Sequence, residues 1–113
     1  MQEYRNEKDW KLFKSKFPVW QECCIARLNK EYIEILSGES RPSEKFWSLD
    51  ERIRQDKRRF AVGLRLSRSM LIPNIAVLIR NEVISFDELG DFSEELKERI
   101  RFVLGLNDIN EQL

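Results

Sequence analysis

Arg54, Arg58, Arg65 and Arg68 recur at intervals that bring them within an arc of about 80° if they share one continuous helix. Lys57 flanks that arc and Trp47 falls in the same sector. A guanidinium presents a fixed fork of N–H donors that fits phosphate or carboxylate oxygens. A stripe about 21 Å long can therefore follow a nucleic-acid backbone without reading bases. The same side chains suit a protein interface, where arginine and aromatic residues are enriched. Carboxylates able to neutralise the stripe also lie within the chain, at Asp87, Glu88, Asp91, Glu94, Glu95 and Glu98.

Charge bears on the choice. Eight basic residues and one acidic from 52 to 80 leave +7 there, nine acidic and three basic from 81 to 113 leave −6, and the whole chain is neutral. Nucleic-acid modules usually carry a surplus of positive charge, so pairing with the acidic tail or with a protein partner is the preferred reading, and phosphate contact is the alternative. A helix-turn-helix over 52–80 fits poorly. Its turn would contain Ile72-Pro73-Asn74, and its recognition helix would be the apolar Ile75 to Ile79, which belongs in a core.

Other chemistries lack their residues. With no histidine there is no side chain whose ordinary pKa lies near neutrality, and no Ser-His or Cys-His pair. The only cysteines, Cys23 and Cys24, are neighbours whose side chains diverge by about 100° on a helix, so they do not bridge each other. They suit a reducing compartment and offer too few ligands for zinc. Cys24 lies on an apolar stripe, and Glu22 beside Cys23 disfavours its thiolate. The acid pairs Glu31/Glu34 and Glu94/Glu98 have the spacing of solvated helix faces. The four glycines stand apart at 38, 63, 90 and 105, so there is no phosphate-binding loop. Asn81 to Glu88 superficially resembles the end of an EF-hand loop, but that register puts Val77 and Ile79 at ligand positions and Glu82 where the turn needs glycine. The expectation is no enzyme, no cofactor and no metal.

The elements that must carry these residues read as helices. Trp10, Phe13, Phe17, Trp20, Cys24, Leu28, Tyr32 and Ile35 fall within about 120° of one another at 100° per residue, the face of one long helix ending at Gly38. Pro18 inside it predicts a kink or a short break. Residues 37–45 form a loop, and the second helix starts between Ser43 and Ser48. Its apolar set, Phe46, Leu49, Ile53, Phe60, Leu64 and Leu71, spans about 60° if the helix runs unbroken to Leu71 past Gly63. Pro73 opens a short apolar third helix. Ser85 and Glu88 make a capping box for a further helix start, with Ile84 and Leu89 as its hydrophobic staple. Phe92, Leu96, Ile100 and Val103 lie on a last amphipathic helix that Asp91 or Ser93 caps and Gly105 ends. Residues 106–113 are expected to fray.

Together these signals predict a single all-α domain over 1–113, a compact bundle of four or five helices in which two long amphipathic helices pack around the short apolar one. The charged opening lacks the apolar stretch of a secretory signal, and the longest uncharged run, Ser69 to Ile79, is far short of the roughly 18–20 residues that span a bilayer. A cytoplasmic protein without membrane partners is expected. The functional expectation is a protein–protein interaction or regulatory accessory factor, self-association included, with Trp47, Arg54, Arg58, Arg65 and Arg68 as its candidate surface. The alternative is a nucleic-acid-associated protein using the same arginines on phosphates.

Overall fold

Asn6 starts the first helix: its backbone is extended, and its side-chain oxygen accepts the Asp9 N–H at 3.1 Å, satisfying one of the donors a helix leaves unpaired at its start. In the computed structural model, which describes residues 4–60 and 66–105, α1 then runs from Glu7 to Ser37 without interruption. Of the kink or short break expected at Pro18, the break is absent. Proline withholds one N–H from the carbonyl four residues back, but Pro18 lies on the exposed face of the helix, away from the packed stripe, and the helix continues through it.

The apolar stripe of α1 supplies one wall of the core. Phe13 is fully buried, with ring centroids 5.5 Å from Phe17 and 6.2 Å from Trp20, and Trp20 meets Phe92 at 6.3 Å. The opposite wall is α3 (Leu71–Arg80) with α4 (Glu94–Leu104), which bury Leu71, Ile75, Leu78, Leu96 and Ile100. Each such side chain contributes about 1.5–3 kcal/mol on burial. A short 3₁₀ turn, Arg68–Met70, leads into α3, and a second, Phe86–Leu89, precedes α4. Among the described residues there is no strand, and no helix is long and apolar enough to cross a membrane. The fold is an all-α bundle, with four α-helices among the described residues.

Local signals are met at both ends of α4. Ser93 accepts the Leu96 N–H at 3.2 Å and caps α4, and Gly105 closes it at φ +76°, a backbone region that favours glycine. The Ser85/Glu88 capping box forms, with the Ser85 N–H donating to Glu88 Oε2 at 2.7 Å, but it heads a single 3₁₀ turn rather than an α-helix. α3 begins at Leu71, two residues before Pro73, because the first-turn N–H groups lack helical partners and a proline among them forfeits nothing.

The second helix departs most from expectation. α2 spans Pro42–Arg59. Arg41, forced toward extended geometry by the proline after it, sets the start ahead of both serines. The continuation to Leu71 is absent: Phe60 caps the end, its N–H bonding the Asp56 carbonyl at 2.9 Å. Gly63, Leu64 and Arg65 lie outside the described residues, as do 106–113. Phe46, expected in the core, is 61 % exposed. The long pair around α3 is therefore not formed. Instead α2 folds back along the C-terminal half of α1 as a hairpin arm, while α3 and α4 cover the N-terminal half, and the molecule measures 53 × 35 × 23 Å.

Two buried carboxylates fasten these parts. Asp9, 2 % exposed, receives the Tyr4 hydroxyl, the Ser93 hydroxyl at 2.5 Å and the Ser93 N–H at 3.0 Å, so the start of α1 is tied to the start of α4. Asp56, 3 % exposed, receives the Tyr32 hydroxyl at 2.6 Å and the Arg52 guanidinium at 3.0 Å, and Arg52 also reaches Glu31 on α1 at 2.8 Å. Burial and the adjacent carboxylate push both phenols from their ordinary 10 to about 12. The fold therefore holds both tyrosines neutral. Their contribution to stability is complete below pH 10 and is lost as pH rises through about 12. Absorbance at 295 nm should show both tyrosines, the only two in the chain, ionising near pH 12 in the folded protein and near 10 in urea. Ionisation of both near 10 under native conditions would contradict the two clamps.

Glu82 closes α3 with φ +62°, the only non-glycine in that region among the described residues. Its N–H bonds the Ile79 carbonyl at 3.0 Å, and the Val83 N–H bonds that of Leu78 at 2.8 Å. This is the pattern for which glycine is preferred. Glu82→Gly is expected to leave the fold unchanged and to stabilise by up to about 1 kcal/mol in urea unfolding.

Candidate functional site: the outer face of the hairpin arm

A helix packed on one side presents the other to solvent, and in α2 the packed side is narrow. Leu49 and Ile53 are half-buried toward α1 beside Asp56, which is the only fully buried residue of the helix. The opposite face carries Trp47, 60 % exposed, in edge-to-face contact with Phe46 at 4.9 Å and 89°. Ile33 and Leu36 are exposed near the tip of the same arm on α1. Trp47 also borders an open groove of about 520 Å³ between the two helices, with Ile35, Ser48, Glu51, Arg52 and Gln55. Two large rings exposed in contact with each other form a contiguous apolar patch, the kind of surface feature that marks interaction sites.

The arginine stripe is divided by the end of α2. Arg54 and Arg58 lie on the exposed face with Trp47, and Arg54 pairs with Asp50 one turn earlier. Arg65 lies outside the described residues. Arg68 sits in the 3₁₀ turn before α3, where its guanidinium bonds Glu7 of α1 at 2.5 Å and covers the Trp10 ring at 5.6 Å. That bond holds the Glu7 carboxyl below its usual range and raises Arg68. Both described pairings, with Asp50 and with Glu7, are to carboxylates outside the acidic C-terminal helix. Of the acids singled out there, Asp91 meets Lys16 at 3.3 Å and Glu94 meets Lys97 at 3.1 Å.

Arg68 also rims a cavity of about 490 Å³ lined by Tyr4, Arg5, Asn6, Glu7, Trp10 and Leu71. Its walls hold a closed ion pair and a tryptophan already capped by Arg68 and by Lys14 at 5.5 Å. Cys24 is buried and Cys23 exposed. Among the described residues no group of three or more His, Cys, Asp or Glu is placed to hold a metal ion. Asp9 and Asp56 are both consumed in structural bonds.

Sequence reasoning overlooked these two carboxylates and the tyrosines that serve them. A signal existed. Asp9 lies about 20° from Trp20 on the α1 wheel and Asp56 about 20° from Leu49 on that of α2, so both stand at the edge of an apolar stripe where a charge needs a partner. No protein-family model, curated protein or solved structure matches this chain.

Removing Asp56 leaves the Tyr32 hydroxyl and one side of Arg52 without their acceptor. Asp56→Ala should cost about 1–3 kcal/mol in urea unfolding, whereas Asp50→Ala, which breaks only the exposed Arg54 pair, should cost less than about 0.5 kcal/mol. Equal losses would mean that the arm is not held by the buried clamp.

Proposed function

We propose that this chain works through protein contacts, as an adaptor or regulatory accessory factor whose contact surface is the outer face of α2. The observation that carries the reading is the side-by-side exposure of Phe46 and Trp47 on a helix with a packed neighbour on one side only. Tryptophan and arginine together are the side chains on which interface energy concentrates, and Arg54 and Arg58 share the face with Trp47. The setting we propose is a reducing compartment, the cytoplasm, where the exposed thiol of Cys23 stays free. Phosphate tracking by the arginines is less well supported, since Arg68 stands on a different element from Arg54 and each is engaged by a carboxylate.

Trp47→Ala should leave the circular dichroism unchanged and shift Tm by no more than a few degrees, because the ring packs little in the isolated chain. A photo-crosslinking residue at position 47 should give protein adducts in cells, and the same residue at Phe102, an exposed position on α4, should give fewer. Adducts at 102 alone, or none at 47, would overturn the reading. Micromolar, salt-sensitive binding of random-sequence DNA or RNA that Arg54→Glu/Arg58→Glu abolishes would replace it with the nucleic-acid alternative.

A further inference from the structure

On the exposed side of α2, Glu44, Trp47, Glu51, Arg54 and Arg58 follow one another at alternating steps of three and four residues. That spacing keeps all five within an arc of about 80°, a straight seam along the helix of the kind one helix presents to another. All five are exposed. The seam changes sign along its length, with acids at 44 and 51 and bases at 54 and 58.

We infer that this seam is a self-recognition surface, on which a second copy of the chain lays its own α2 in the antiparallel direction. The inference rests on the reading of the α2 face as a protein-contact surface and names its occupant. A parallel pair would set Glu51 against Glu51 and Arg54 against Arg54, which like charges oppose. An antiparallel pair about a two-fold axis between positions 52 and 53 sets each Glu51 against Arg54 of the second copy, and each Trp47 against Arg58 of the second copy. Every contact then occurs twice, as a two-fold interface requires. Arginine over an indole face is itself a favourable pairing, and Phe46, already edge-on to Trp47, braces the ring from the side. Arg54 and Glu51 hold exposed partners one turn away on their own helix, Asp50 and Gln55. Such pairs exchange readily because they are solvated on both sides. Two hairpin arms joined in this way make a four-helix arrangement with an aromatic and arginine seam, and the rest of each molecule stays outside it.

Sedimentation equilibrium of the full chain tests this directly. The apparent mass is expected to rise from 13.6 kDa toward twice that value as concentration increases into the high micromolar range. Glu51→Arg alone, or Arg54→Glu alone, places like charges across the axis and should lower the association constant at least tenfold, with unchanged circular dichroism showing that each variant is folded. Mixed in equal amounts, the two variants should associate again, because the positive charge introduced at position 51 of one then faces the negative charge introduced at position 54 of the other. Restoration on mixing is the result expected of the antiparallel seam alone. A wild-type chain that stays at 13.6 kDa throughout overturns the inference, as does a dimer that neither reversal weakens. In either case, adducts at position 47 whose mass is not twice that of the chain leave the protein-contact reading standing, and the absence of any adduct there removes both.

Discussion

Helix length is the constraint on which the architecture depends. At 1.5 Å per residue, the 31 residues of α1 extend about 46 Å, whereas the 10 of α3 and the 11 of α4 extend about 15–17 Å. Two elements that short cover only part of an apolar stripe running from Trp10 to Ile35. The uncovered remainder has to be screened from water by something else, and α2, joined through the short turn after Gly38, is the element within reach. The division into a packed body and a hairpin arm follows from that mismatch.

The two parts are held differently. In the body, aromatic and aliphatic side chains interlock, and the buried Asp9 is matched by the Tyr4 hydroxyl and by the hydroxyl and N–H of Ser93 at the start of α4, where the helix end itself favours a negative charge. In the arm there is little apolar area to bury, and alignment falls to the Tyr32–Asp56–Arg52–Glu31 chain of bonds. A buried charge that is fully paired adds little net stability, but it strongly disfavours arrangements that leave it unpaired. The arm thus has a defined alignment without a deep core. That is also why rings such as Phe46 and Trp47 are exposed: among the described residues no third element covers them.

The functional reading grows from the same circumstance. An arm bound on one side, with a seam of segregated charge on the other and Phe46 exposed beside Trp47 at its flank, is the setting for the helix-against-helix recognition proposed above. Among the described residues, the two buried carboxylates are engaged in the bonds of the fold, and Glu7 and Arg68 pair at the rim of the cavity beside the start of α1.

Much of this was legible in the residues alone. Helical class, the long stripe of α1, the apolar α3, and the caps at Gly38, Ser93 and Gly105 all come from periodicity and from side chains acting on backbone within a turn or so. What tertiary packing decided lies beyond that range. Whether α2 stops at Arg59, whether Phe46 is covered, and whether Arg68 looks toward a phosphate or toward Glu7 depend on which distant surface lies alongside, and a helical wheel shows two edges of a stripe without showing what faces them. Asp9 and Asp56 make the point most plainly. Their positions at stripe edges were written in the sequence, but only the approach of Ser93 to one and Tyr32 to the other, 84 and 24 residues away along the chain, turned two surface acids into the bonds that set the shape of the molecule, because a charge can enter a low-dielectric interior only where its partners are already waiting.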